Sequence, residues 1–132
     1  MAKKTLLIAA IFMFVTSSVC FAEDVSSLTL IDAAVCQSIE NRDPVGIKDV
    51  FSSDIEKVYC YTKAGSLEAT TIKHVWYYKD EKIIDISLKI GASPAWRTRS
   101  SKSIMPHQTG NWKVEITSKD GKVLKTIQFM VD

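Results

Sequence analysis

Seven consecutive residues, Trp96-Arg97-Thr98-Arg99-Ser100-Ser101-Lys102, gather three cations, three hydroxyls and an indole with no acid among them. Arginine presents a planar fork that meets carboxylate or sulfate through two N–H groups at once, and tryptophan offers a flat face for stacking. Trp96, Arg97, Arg99 and Lys102 are therefore the candidate ligand- or partner-binding residues. The competing reading is an edge strand whose charges keep it soluble and unpaired.

No other cluster suggests catalysis. His74 alternates with Trp76 and Ile72 at an inward strand position, which predicts a buried, hydrogen-bonded core histidine. His107 lies in the loop Ile104–Gly110, where it reads as a solvated side chain. The chain has no Gly-Xaa-Ser-Xaa-Gly elbow, no His-Glu-Xaa-Xaa-His and no phosphate-cradling glycine loop. No catalytic residue, metal ligand or cofactor is assigned. An enzyme, either a hydrolase or a metal-dependent one, would have to use His107 with acids brought to it by folding.

The N-terminus reads as an export signal. Lys3 and Lys4 precede an apolar run from Leu6 to Val15, and small and polar residues lead to Ala22, so cleavage is expected before Glu23. A retained anchor would need about 20 apolar residues. Lipidation at Cys20 is the other alternative, but Ser17-Ser18-Val19 lacks the residues that usually precede a lipidated cysteine. The whole chain carries 17 Lys and Arg against 15 Asp and Glu. Two of those lysines fall in the signal, so residues 23–132 are balanced in charge. That balance gives no argument for nucleic acid, and no membrane insertion is expected after cleavage. The destination is periplasmic or extracellular.

Export leaves Cys36 and Cys60 as the mature cysteines. In an oxidising compartment the simplest expectation is one disulfide, worth roughly 3.5 kcal/mol by loop closure. Two buried free thiols are the alternative, and the spacing fits no common metal-ligand pair.

The elements that must position these residues are short strands. Alternation predicts them at Leu28–Ser38, Val58–Thr62, Ile72–Tyr78, Ile83–Ile90, Trp96–Ser103, Trp112–Ile116 and Val123–Val131. Ile84, Ile86, Leu88 and Ile90 form an apolar face against Asp85, Ser87 and Lys89, the pattern of a half-buried strand. Turns are expected at Glu40–Gly46, Ala64–Glu68, Asp80-Glu81, Gly91–Ala95 and Lys119–Lys122, the last carrying the Asp-Gly hairpin signal. Ser53-Asp54-Ile55-Glu56 has capping-box spacing and predicts one short helical turn. About seven strands without a sustained helical period predict an antiparallel β-sandwich, a single domain over residues 23–132. Trp76 follows both cysteines, so the immunoglobulin order of Cys, Trp and Cys is absent.

Several of these stretches carry a family resemblance. His74-Val75-Trp76-Tyr77-Tyr78, Ser93-Pro94-Ala95-Trp96-Arg97-Thr98 and Met105-Pro106 with Thr109-Gly110-Asn111-Trp112 resemble the bacterial family called domain of unknown function 2914. Arg42-Asp43-Pro44-Val45-Gly46 and Tyr59-Cys60-Tyr61-Thr62 fit its N-terminal half, so the resemblance runs from about Ala33 to Val131. Arg99 and Gln108 stand where aromatic residues are expected in relatives. The resemblance implies a shared fold and no particular activity. The functional expectation is an exported, non-enzymatic β-sandwich that binds a protein or glycan of the cell envelope. A purely structural envelope protein, making contacts through its sheet edges, is the further alternative.

Overall fold

The computed structural model describes residues 27–132, and the expected signal segment with its cleavage site lies outside them. The described residues form an all-β sandwich of nine strands and no helix: β1 (Leu28–Glu40), β2 (Asp43–Ile47), β3 (Val50–Phe51), β4 (Lys57–Ser66), β5 (Thr70–Tyr78), β6 (Glu81–Ile90), β7 (Ser93–Ser103), β8 (Gly110–Ser118) and β9 (Val123–Val131). One sheet runs β2-β1-β4-β7 and the other β3-β9-β8-β5-β6. All pairings are antiparallel except β3 with β9.

Alternation explains the core. Val58, Cys60 and Ala64 of β4 face Ile72 and Trp76 of β5, and Trp112, Val114 and Ile116 of β8 complete the layer. Phe129 is its aromatic centre, stacked on Trp112 at 6.0 Å and meeting Trp76 and Phe51 edge-on at 6.2 and 5.7 Å. Apolar area of this kind, removed from water, is what holds two sheets face to face.

Local chemistry sets the connections. Lys79 and Asp80 both adopt positive φ, 47° and 65°, the backbone that a tight hairpin needs to match strand twist. That turn lies one residue earlier than the expected Asp80-Glu81. At Lys119–Lys122 the expected hairpin forms, with Gly121 at φ 86° and its N–H bonded to the Ser118 carbonyl.

Four expectations need correction. Glu40–Gly46 is not one long turn, because Asn41-Arg42 reverses the chain at positive φ and Asp43–Ile47 returns as β2. Ser53-Asp54 is a bare turn with no helix; its neighbours are held by Ser53 N–H to Asp132 O and Ile55 N–H to Ser52 O. The apolar face of β6 is less buried than its pattern suggests. Ile90 is 1% exposed but Ile84 is 43% exposed, since β6 is the outer strand of its sheet.

The fourth correction concerns the cysteines. Cys36 and Cys60 are buried free thiols. Val35, not Cys36, lies opposite Cys60, while Cys36 lies opposite Tyr59. Successive side chains point to opposite faces of a sheet, so Cys60 enters the core and Cys36 faces outward. The expected disulfide would have to pass through the plane of the strands.

Candidate functional site

The basic stretch becomes β7, an edge strand paired only with β4. Its register sets Arg97 opposite Lys63, Arg99 opposite Tyr61 and Trp96 opposite Ala64. Arg97, Arg99, Lys63 and Tyr61 therefore share the outer face of the sheet.

The β1–β2 hairpin comes back over that face. Along a flat sheet, Asp43 would sit about 26 Å from the level of Arg97, at roughly 3.3 Å per residue. Instead the Asp43 carboxylate is 3.4 Å from the Arg97 guanidinium. The hairpin must bend across the outer face, and Ala34, Cys36 and Tyr61 are buried although they point away from the core. Beneath the bend lies an open groove of about 600 Å³, lined by Arg42 and Ile39 of the hairpin, Tyr61 and Lys63 of β4, and Ala95–Arg99 of β7.

Its electrostatics are uneven. Arg42, Lys63, Arg97 and Arg99 supply four cations, and among the described residues only Arg97 has an ion-pair partner, Asp43. Burial pushes the Tyr61 phenol above its ordinary range, and the nearby Arg97, which is hydrogen-bonded to it, draws it partly back. Trp96 is 41% exposed at the rim. Its ring lies against Gly91, where an added methyl would sit 2.5 Å from the indole. The groove therefore offers guanidinium forks, an ammonium group and the Tyr61 ring around one open space, with Trp96 at its rim.

The structure sets Arg97 and Arg99 together on one face as expected, with Trp96 at the rim of the groove they line, but it does not add Lys102. Alternation turns Lys102 to the other face, where its ammonium donates to the Ser103 carbonyl at 3.0 Å. Arg42, Lys63 and Tyr61 were missed. The only sequence signal for Lys63 and Tyr61 was their shared outward face on β4, which becomes informative once β4 is known to pair with β7. For Arg42 there was no signal, since the hairpin bend depends on tertiary contacts.

His74 sits elsewhere, between the sheets. Fully buried, it pairs through Nε2 with Thr62 Oγ1 at 2.8 Å and through Nδ1 with Ser100 Oγ at 2.6 Å. The Trp76 indole N–H also donates to Ser100 Oγ, at 3.2 Å. Burial lowers the His74 pKa to about 4, so the ring is neutral at neutral pH. One network thus ties β4, β5 and β7 together, with no buried side-chain polar atom left unpaired among the described residues. His107 is exposed in its loop, and no group of three or more His, Cys, Asp or Glu side chains converges as a metal site among the described residues.

Comparison with known proteins bears on the family. Residues 69–131 match the model of a family described as protein of unknown function, DUF2914. That segment belongs to DUF2914. The match takes in β7 with Trp96, Arg97 and Arg99, and His74-Val75-Trp76-Tyr77-Tyr78 of β5. Arg42-Asp43-Pro44 and Tyr59-Cys60-Tyr61 lie outside it, so the groove is built half within the DUF2914 segment and half beyond it. No curated protein matches the chain. Among solved structures it is similar to a β-glucosidase from Erythrobacter marinus, with TM-score 0.52 and 4% identity over 81% of this chain. It is also similar to a β-glucosidase from Listeria innocua in complexes with laminaribiose and with glucose, each with TM-score 0.51 and 11% identity. The chain spans only 16% of the length of each of these proteins, so the likeness is one of fold.

Proposed function

We propose that this protein is an exported, non-enzymatic β-sandwich module of the cell envelope, periplasmic or extracellular, that holds an anionic group of a protein or glycan partner in the groove along β7. One observation carries the reading: four cations from two strands and a turn surround Tyr61, with Trp96 at the rim, and a single carboxylate is paired with them. Placing like charges together costs free energy that an anionic ligand would recover. Aromatic faces beside cations favour an acidic saccharide over a bare carboxylate. The groove is open and rigidly based on paired strands, which suits recognition more than water-excluded chemistry.

Titration with an oligogalacturonate and with a sulfated oligosaccharide, at low and high salt, tests the proposal. Arg97→Glu with Arg99→Glu should weaken association by roughly tenfold or more, and salt should weaken the wild type likewise. Asp43→Asn should act in the opposite sense and tighten binding, because it releases Arg97 to the ligand. A double-glutamate protein that still binds normally would sink the idea.

The position of β7 at a sheet edge favours a second reading, in which its charges only block edge pairing. Under that reading, replacing both arginines with valine causes aggregation, and the double-glutamate change leaves solubility and partner binding alone.

A further inference from the structure

Four strands end the two sheets, and three of them are blunted. β2 carries Pro44 and the positive-φ Gly46 (71°), β3 has two residues, and β7 carries Pro94 and three cations. β6 is different. It runs ten residues without proline or glycine, and it pairs only with β5. Its single irregularity is the bulge that displaces Ile83 between the Trp76–Ile84 and Tyr77–Lys82 pairs. From Ile84 to Ile90 the strand is regular and rich in isoleucine, and the backbone groups on its outer side have no partner strand among the described residues. Such an edge is a template for another strand.

We propose that the β6 edge is a homodimer interface, in which a second copy of this chain adds its own β6 antiparallel about a two-fold axis through Ser87. The argument for a second copy is that the strand is complementary to itself. With Ser87 opposite Ser87, Asp85 of each copy falls opposite Lys89 of the other, and Ile86 falls opposite Leu88. Ile84, 43% exposed in the single chain, then falls opposite Ile90 and is covered. Sliding the register by one two-residue step per strand in one direction sets Asp85 opposite Asp85, and in the other sets Lys89 opposite Lys89. The Ser87-centred pairing avoids both, and opposite charges directly across a ladder stabilise it while like charges destabilise it. The axis makes every contact occur twice, as a closed two-fold interface requires. Asp85 is already ion-paired with Lys82 at 2.7 Å, but both side chains are largely exposed, so Asp85 remains free to turn toward an incoming Lys89. The two five-stranded sheets would become one continuous sheet across the axis.

Sedimentation of the full chain at high micromolar concentration, in low salt, tests this directly. A reversible dimer is expected. Asp85→Lys alone and Lys89→Glu alone should each weaken it by roughly tenfold, because each turns two attractive pairs into repulsive ones. The double change Asp85→Lys with Lys89→Glu restores the pairs with signs exchanged and should recover wild-type dimerisation. Ser87→Cys supplies a second readout that depends on register alone: mild oxidation should trap a reducible dimer through the axis, while Lys73→Cys, one strand inward, should not cross-link. A wild-type protein that stays monomeric, single variants that dimerise as well as wild type, or a Ser87→Cys protein that forms no cross-linked dimer would each overturn the proposal. A double variant as weak as the singles would overturn it too, since the register would then be wrong.

Discussion

His74 shows how a titratable group can be used for construction. Its pKa of about 4 lies below the ordinary 6.5 because burial disfavours the charged ring. Above about pH 6.5 the ring is neutral both folded and unfolded, and it contributes no pH dependence. As pH falls from 6.5 toward 4 the unfolded chain takes up a proton that the folded one refuses, so stability declines by roughly 3 kcal/mol across that window. Urea midpoints measured from pH 7 to pH 4 should fall for wild type and lose most of that slope in His74→Leu. An unchanged slope would place the titration elsewhere. Ser100 is the more demanding partner, because its one oxygen meets both the imidazole and the Trp76 indole. Ser100→Ala should therefore destabilise more than Thr62→Val, by about 1–3 kcal/mol for each buried group left unpaired. That His74 turns inward with Trp76 was legible from alternation. Its partners were not, because Thr62 and Ser100 reach it only through the packing of one sheet on the other.

The thiols follow the same residue-level logic. Cys60 is buried and its pKa is pushed up to about 12, chiefly by burial and then by nearby Cys36, so it should resist alkylation in the native state. Denatured without reductant, the protein should take up label at both Cys36 and Cys60, as read by intact mass. Absence of that label would contradict the free-thiol arrangement. Even cysteine count pointed to a bridge, and only strand register shows why it does not form.

At the scale of elements, strands with clean alternation were readable and those governed by turns were not. Trp112, Val114 and Ile116 lie inward as their spacing requires, and so do Phe129 and Val131. β2 was hidden because its residues, Asp43-Pro44-Val45-Gly46, have turn chemistry, and they become a strand only by pairing with β1. The burial of β6 was overestimated because a sequence pattern shows which face is apolar, not whether another layer covers it. Trp96 tests the link between the β6–β7 connection and the groove. Gly91→Ala should displace the indole, since the new methyl would lie 2.5 Å from it and the ring is free to swing outward. Tryptophan fluorescence should shift while the urea midpoint changes little. A large loss of stability with unshifted emission would mean that the backbone gave way instead.

The whole molecule sets two sheets around one aromatic core and leaves a basic groove on the outer face of the smaller sheet. The β-sandwich was legible from strand spacing and the absence of a helical period. The basic stretch was legible as a stretch, but as a groove it needed β4 and the β1–β2 hairpin, which only the fold supplies. We propose that the groove, not the buried histidine or the His107 loop, is where a partner is met. The most direct measurement is residue-resolved NMR shift mapping during titration with an anionic oligosaccharide at low salt. Binding in the groove predicts shifts confined to Arg42, Tyr61, Lys63 and Trp96–Arg99, abolished by Arg97→Glu with Arg99→Glu. Saturable shifts that avoid those residues, or a map unchanged in the double variant, would contradict it.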